Sequence, residues 1–259
     1  MTQTMAKTDV RPDEVTAFLD TLDGAPGDGL TYCPGRTVHT LAAHIAGNYE
    51  EITRHVNGYL DHRPVNRTRT FDEREGEFRA MSAPALVASI EDGDQRMRRA
   101  IGTLLGIEPD PILRWTNREV HATGFLKHAR NECAVHRWDI VGDDAVSERL
   151  LSPQELLDHA VAFLGPLPLT ARGMATGAGT GTALSARVRS PGRPDLLVRV
   201  HRGVPELRLV EPEGPALIEG DPAARLLLLW GRRAVPFTRL RGNGSPEEIS
   251  RVQWLLSGY

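Results

Sequence analysis

Cysteine, lysine and long apolar runs are all scarce in this chain of 259 residues. The two cysteines, Cys33 and Cys133, stand 100 positions apart and cannot build a disulfide framework, so a reducing compartment is expected. Lysine occurs only at Lys7 and Lys127; every other basic residue is arginine. With 31 basic against 34 acidic residues the net charge is −3, which leaves no global positive field to condense on phosphate backbones or anionic lipid. Nucleic acid and membrane are therefore not expected partners. No apolar run exceeds five residues, as in Leu226 to Trp230, against the roughly 20 that a spanning helix needs. The first residues hold no apolar segment of the signal-peptide kind, and the expected location is cytoplasmic. A hydrophobic content of 40% excludes a disordered chain, and the length favours two modest domains over one.

What is present divides the chain in two. Val15, Phe18, Leu19 and Leu22 keep the spacing of one helical stripe, and a Gly/Pro/Asp loop follows at 23–35. Thr37 can cap a long helix reaching about Leu60, with Val38, Leu41, Ala42, Ile45, Tyr49, Ile52 and Val56 on its apolar face. The polar stretch 61–79 lacks periodicity and reads as a surface loop. Ser82 and Pro84 open a helix that Pro109 and Pro111 end, and Thr123 is placed to cap another from Gly124 to about Val141. Four long helices imply a bundle. Ser152-Pro153-Gln154-Glu155 has the form of a capping box for a shorter helix to Leu164. Residues 1–164 thus form the expected helical domain, 165–182 a Gly/Ala/Thr/Pro linker and 183–259 a smaller α+β domain. In that second domain 183–189, 196–201 and 206–211 alternate with period two, while Asp221-Pro222 and Ser245-Pro246 open helices.

Glu132 and His136 lie four apart on the fourth long helix, in line with Phe125, Ala129 and Ile140. Such a pair is often no more than a solvated neighbour contact. If it faces the core, however, the carboxylate needs a cation, an arginine or a proton to be tolerated. His44 sits among inward-pointing residues of the second helix. Two histidines and one carboxylate on facing helices give three ligands with an open fourth position, the pattern of a catalytic zinc or similar divalent site. Cys133 reads as an inert buried thiol, His39 and His128 as histidines outside the ligand set, and Asp139 as a helix-end hydrogen-bonding residue.

The segments Cys33 to Gly47 (CPGRTVHTLAAHIAG) and Asn131 to Ile140 (NECAVHRWDI) resemble the two signature stretches of the mycothiol-dependent maleylpyruvate isomerase family, which belongs to the DinB-like metal-binding bundles. Ile218 to Pro222, running into Leu227 to Arg232, is similar to that family's C-terminal sterol-carrier-like α+β domain. The resemblance implies a DinB-like four-helix bundle followed by a sterol-carrier-like domain. It further implies a divalent metal, usually zinc, at His44, Glu132 and His136, and mycothiol as a thiol cofactor working with the metal. Arg232 is the residue it suggests as catalytic, with the adjacent Arg233 as an alternative. The family usually has Trp where this chain has Arg36, so the wall of the site is expected to differ there.

The chemistry so implied is metal-assisted formation of a thiolate at neutral pH, a soft nucleophile that adds to an activated cis double bond and is expelled after rotation. An arginine would hold the carboxylate of a small electrophilic substrate. Without expulsion the same apparatus is a thiol S-transferase, and the residues leave both open. Two further readings differ in class: a thiol-independent metalloenzyme of secondary metabolism on the same bundle, and a non-enzymatic small-molecule carrier. Metal content separates the carrier from the enzymes.

Overall fold

The computed structural model describes residues 10–116, 118–164, 183–202, 204–232 and 239–256. These fall into two compact units that meet in sequence between Asp144 and Ala145. The expected linker 165–182 and Arg233 lie outside the described residues.

The first unit is built on α1 (Asp13–Gly24), α2 (Val38–Leu60), α3 (Phe71–Arg79), α4 (Ala83–Ile107) and α5 (Ala122–Val141). A short antiparallel hairpin, β1 (Ile112–Trp115) and β2 (Arg118–His121), connects the last two. The helix α2 is the hub, packing on α3, α4 and α5, while α1 packs on α5. Its start is set by Thr37, whose hydroxyl accepts from the Thr40 amide as Thr40 reciprocates, a full capping box. Leu41, Ile45, Ile52 and Val56 are fully buried on its apolar stripe, against the Ile90, Met97 and Ile101 stripe of α4. Gly93 of α4 permits the approach: a Cβ there would stand 3.3 Å from the Tyr49 Cβ.

Two local expectations are corrected. The stretch 61–79 is not all loop: Thr70 and Glu73 form a capping box that starts α3. No apolar stripe announces this helix, because its buried residues are Arg74, Glu75 and Phe78. Thr123 does not cap α5, which begins two residues earlier than expected, behind His121; the Thr123 amide and hydroxyl instead donate to the Asp110 carboxylate at 2.8 and 2.9 Å.

The second unit contains α6 (Ala145–Leu151), α7 (Gln154–Leu164), β3 (Leu184–Arg189), β4 (Asp195–His201), β5 (Val204–Val210), β6 (Ile218–Gly220), α8 (Pro222–Leu229), β7 (Leu240–Gly242) and α9 (Pro246–Leu255). Its strands order as β5-β4-β3-β6-β7, antiparallel except for β3 beside β6. Alternation along β3 buries Leu184, Ala186 and Val188 on one face. Asp221 caps α8 through the Ala224 amide, and Ser245 with Glu248 caps α9, both as the sequence indicates. The helical domain does not extend to residue 164. Helices α6 and α7 pack on α8, and α7 on β5, so their apolar faces belong to the second unit. Ser152, read as the cap of α7, donates its hydroxyl backwards to the Glu148 carbonyl at 2.6 Å. The architecture is thus a helical bundle followed by an α+β unit, as expected. Among the described residues no helix is long and apolar enough to cross a membrane.

The segment leading into α3 is pinned by Glu51, a fully buried carboxylate on α2. It accepts from the Arg69 backbone amide at 2.8 Å, from Arg69 Nε at 2.6 Å, and from Arg54. Burial opposes its ionisation, but bonds from His55, Arg54 and Arg69 outweigh that and hold the carboxyl well below its ordinary range. A group with a depressed folded pKa contributes stability in full above its unfolded value, near 4.5, and loses it as pH falls below. Glu51→Gln is expected to cost about 2 kcal/mol at pH 7 in urea unfolding, with the gap from wild type closing toward pH 3. A gap that does not change with pH would show that the carboxylate charge is not what pins this segment.

Candidate metal centre

Three atoms converge in the first unit: His44 Nε2 from α2, and Glu132 Oε2 and His136 Nε2 from α5. His44 Nε2 is 3.1 Å and His136 Nε2 is 3.4 Å from that one carboxylate oxygen, and all three ligand atoms lie within 4.8 Å of one another. The helical register explains this: i and i+4 on α5 share a face, and both imidazoles are buried.

Each imidazole is oriented from behind. His44 Nδ1 donates to Glu75 Oε1 at 2.7 Å, and His136 Nδ1 donates to Asp139 Oδ2 at 2.8 Å. Asp139, expected as a helix-end hydrogen-bonding residue, instead accepts from its i−3 neighbour His136 within the helix. With both Nδ1–H groups committed, neutral imidazoles present only lone pairs at Nε2. They face a carboxylate oxygen, which is also an acceptor. Three electron-pair donors meeting at one point need either protons or a cation, and this donor set fits a divalent ion with two histidines and one carboxylate. Asn48 closes one side, its amide nitrogen 3.0 Å from His44 Nε2 and 3.2 Å from Glu132 Oε2, while its Oδ1 is buried without a partner. Rotating the amide exchanges those two atoms, which brings a further oxygen donor to the same place.

The charge states follow the geometry. Burial resists ionisation of Glu132, but the neighbouring His128, His136 and His44 pull its carboxyl well below the usual range. Burial also resists protonation of His136, yet its bonds to Asp139 and Glu132 prevail and raise its pKa. His128 stands outside the trio, its Nε2 3.9 Å from the other Glu132 oxygen; burial lowers its pKa to about 4, so it is neutral at physiological pH.

Glu75, unforeseen because it lies in the stretch read as loop, is the most connected of the supporting residues. Besides His44 it accepts from Arg36 Nη1 at 2.8 Å and Arg79 Nη2 at 2.5 Å, and although burial works the other way these donors bring its pKa down to about 2. Arg36, the departure from the family pattern, thereby has a place: it also donates to the Thr40 carbonyl and stacks over Phe71. Gly47 makes the junction possible, since a Cβ there would come within 2.8 Å of the Arg74 carbonyl. His39 is engaged with the Arg79 carbonyl at 3.0 Å and stays out of the centre. Arg232 lies in the second unit just beyond α8, where its Nη1 donates to the Trp230 carbonyl at 3.1 Å. Cys133 is buried beside the Tyr49 hydroxyl, 3.1 Å away, and burial pushes its thiol pKa far up.

A helical unit carrying this His/Glu/His trio is a bundle with a candidate metal centre. Residues 12–141 match the family model described as the mycothiol maleylpyruvate isomerase N-terminal domain, and the chain belongs to that family. Among solved structures it is similar to mycothiol-dependent maleylpyruvate isomerase and to a histidine-to-alanine mutant of that enzyme. Each is 14% identical, with a TM-score of 0.60, over 90% of this chain and 91% of the other. No curated protein matches.

Two outcomes test the centre. Glu75→Gln, which keeps the shape but removes the charge behind His44, is expected to weaken zinc binding about 10- to 100-fold in competition with a chelating dye. Unchanged affinity would separate Glu75 from the metal. In thiol titration of the native protein, Cys33 is expected to react while Cys133 reacts only after unfolding.

Proposed function

We propose that the protein is a metal- and thiol-dependent enzyme acting on a small electrophilic carboxylated substrate, by cis–trans isomerisation or by thiol transfer. The observation that carries this reading is the convergence of His44, Glu132 and His136 lone pairs, each imidazole braced by a carboxylate. Zinc held there, with mycothiol as its partner thiol, supplies a thiolate at neutral pH, the nucleophile that such isomerisation or transfer requires.

The chain's own groups do the rest. Glu75 and Asp139 fix the Nδ1–H tautomers and strengthen the imidazoles as ligands. Glu132 provides the one charged ligand, leaving net positive charge with a divalent ion in place. His44 and His136 are buried and the Glu132 side chain is 14% exposed, which limits the access of bulk water to the open position. Arg232 is assigned, by family resemblance, to hold the substrate anion, in preference to Arg233. Dependence on a reduced low-molecular-weight thiol places the activity in the cytoplasm, where such thiols are kept reduced.

Elemental analysis of the purified protein and turnover of a cis-unsaturated carboxylate with and without mycothiol test the reading. We expect one zinc per chain and no turnover without thiol. Glu132→Gln is expected to lose metal and activity together, and Arg232→Ala to keep the metal while kcat/KM falls. Full activity after removal of every thiol would overturn the thiol half and favour a thiol-independent metalloenzyme. Absence of stoichiometric metal would overturn the whole.

A further inference from the structure

Two arginines lie on α3, and their circumstances are opposite. Arg79 is paired with Asp72 and Glu75. Arg74 is 6% exposed, yet among the described residues its guanidinium has neither an ion-pair partner nor a hydrogen-bond acceptor, and its Nε is buried without one. It is held by rings: its Cζ is 4.6 Å from the Phe71 centroid and 5.8 Å from that of Trp115. Cation–π contact satisfies the faces of a guanidinium and leaves its N–H edge unmet. A buried cation without an acceptor is costly, and burial lowers the Arg74 pKa in spite of the nearby carboxylates.

The position of this group gives the cost a use. The charges acting most strongly on it are Glu132, a ligand of the centre, and Glu75, the brace of His44, neither within ion-pairing distance. Phe71, the ring beneath it, is half exposed and faces the His44 ring at 5.4 Å between centroids. Arg36, which shares that ring, is committed to Glu75 and the Thr40 carbonyl. When a divalent ion neutralises Glu132, Arg74 becomes the uncompensated cation at the edge of the centre, with a planar fork that suits a carboxylate.

We propose that Arg74 is an anion-recognition residue of the site, binding a carboxylate of the substrate beside the metal position from within the first unit. This rests on the reading that the substrate is carboxylated, but not on the use of a thiol. It assigns the unit holding the metal its own specificity determinant, apart from Arg232.

The test is calorimetric titration of maleate into zinc-loaded full-length protein without thiol, with dimethyl maleate as the uncharged control. Wild type is expected to bind maleate and not the ester. Arg74→Met is expected to retain stoichiometric zinc and lose maleate affinity by about tenfold or more, with Arg74→Lys between them. Equal affinity in wild type and Arg74→Met, or no maleate binding by wild type up to about 10 mM, overturns the proposal. Should the variants fail to fold, phenylglyoxal labelling of wild type with peptide mapping decides: protection of Arg74 by maleate supports the assignment, and labelling at an unchanged rate overturns it. Arg74-dependent maleate binding in a protein inactive with every thiol supports this assignment while removing the thiol reading.

Discussion

The bond from His44 Nδ1 to Glu75, 2.7 Å long and wholly inside the first unit, joins every part of the centre. On one side it turns the His44 lone pair toward Glu132 and His136. On the other it demands a buried carboxylate, and that carboxylate demands the two guanidinium groups of Arg36 and Arg79. Arg36 in turn lies over Phe71, which also carries Arg74. Electrostatic satisfaction here propagates outward from one imidazole until it reaches groups that water can solvate.

That bond exists only because α3 docks closely on α2. Gly47, three residues beyond His44, removes the side chain that would otherwise hold the two backbones apart. Glu51, one helical turn further, ties down the incoming strand of chain through the Arg69 amide. Thr70 and Glu73 then start the helix in a register that buries Glu75 and Arg74 and leaves Asp72 and Glu73 outside. The surface of α2 facing α3 is thus specified by a missing side chain and a buried charge as much as by apolar contact.

This explains what could and could not be read from the residues in order. The convergence of His44, Glu132 and His136 was legible because Glu132 and His136 obey helical spacing among apolar neighbours, and because the stretches around them and His44 resemble a known family. The two kinds of unit were legible from periodicity, 3.6 before residue 165 and two in the strands after residue 182. Glu75 was not, since α3 buries charged residues and so inverts the pattern that marks an amphipathic helix; the one available signal was Thr70 with Glu73 three positions on. The extent of the bundle was misjudged because α6 and α7 have apolar faces whose destination, α8 and the sheet, no local pattern names. Asp139 was underrated because its reach back to His136 depends on a side-chain rotamer, which spacing does not convey.

His44 and Glu132 are 88 residues apart in the chain, and Glu75 joins them from a third segment. An ion gripped by α2 and α5 is therefore a reversible cross-link between distant stretches, one that the unfolded chain cannot offer as a ready-made site. By linkage, an ion bound there would add to the equilibrium stability of this unit, rising with the logarithm of free metal over its dissociation constant. With an ion in that position, metal supply would set the stability of the unit as well as the competence of the site.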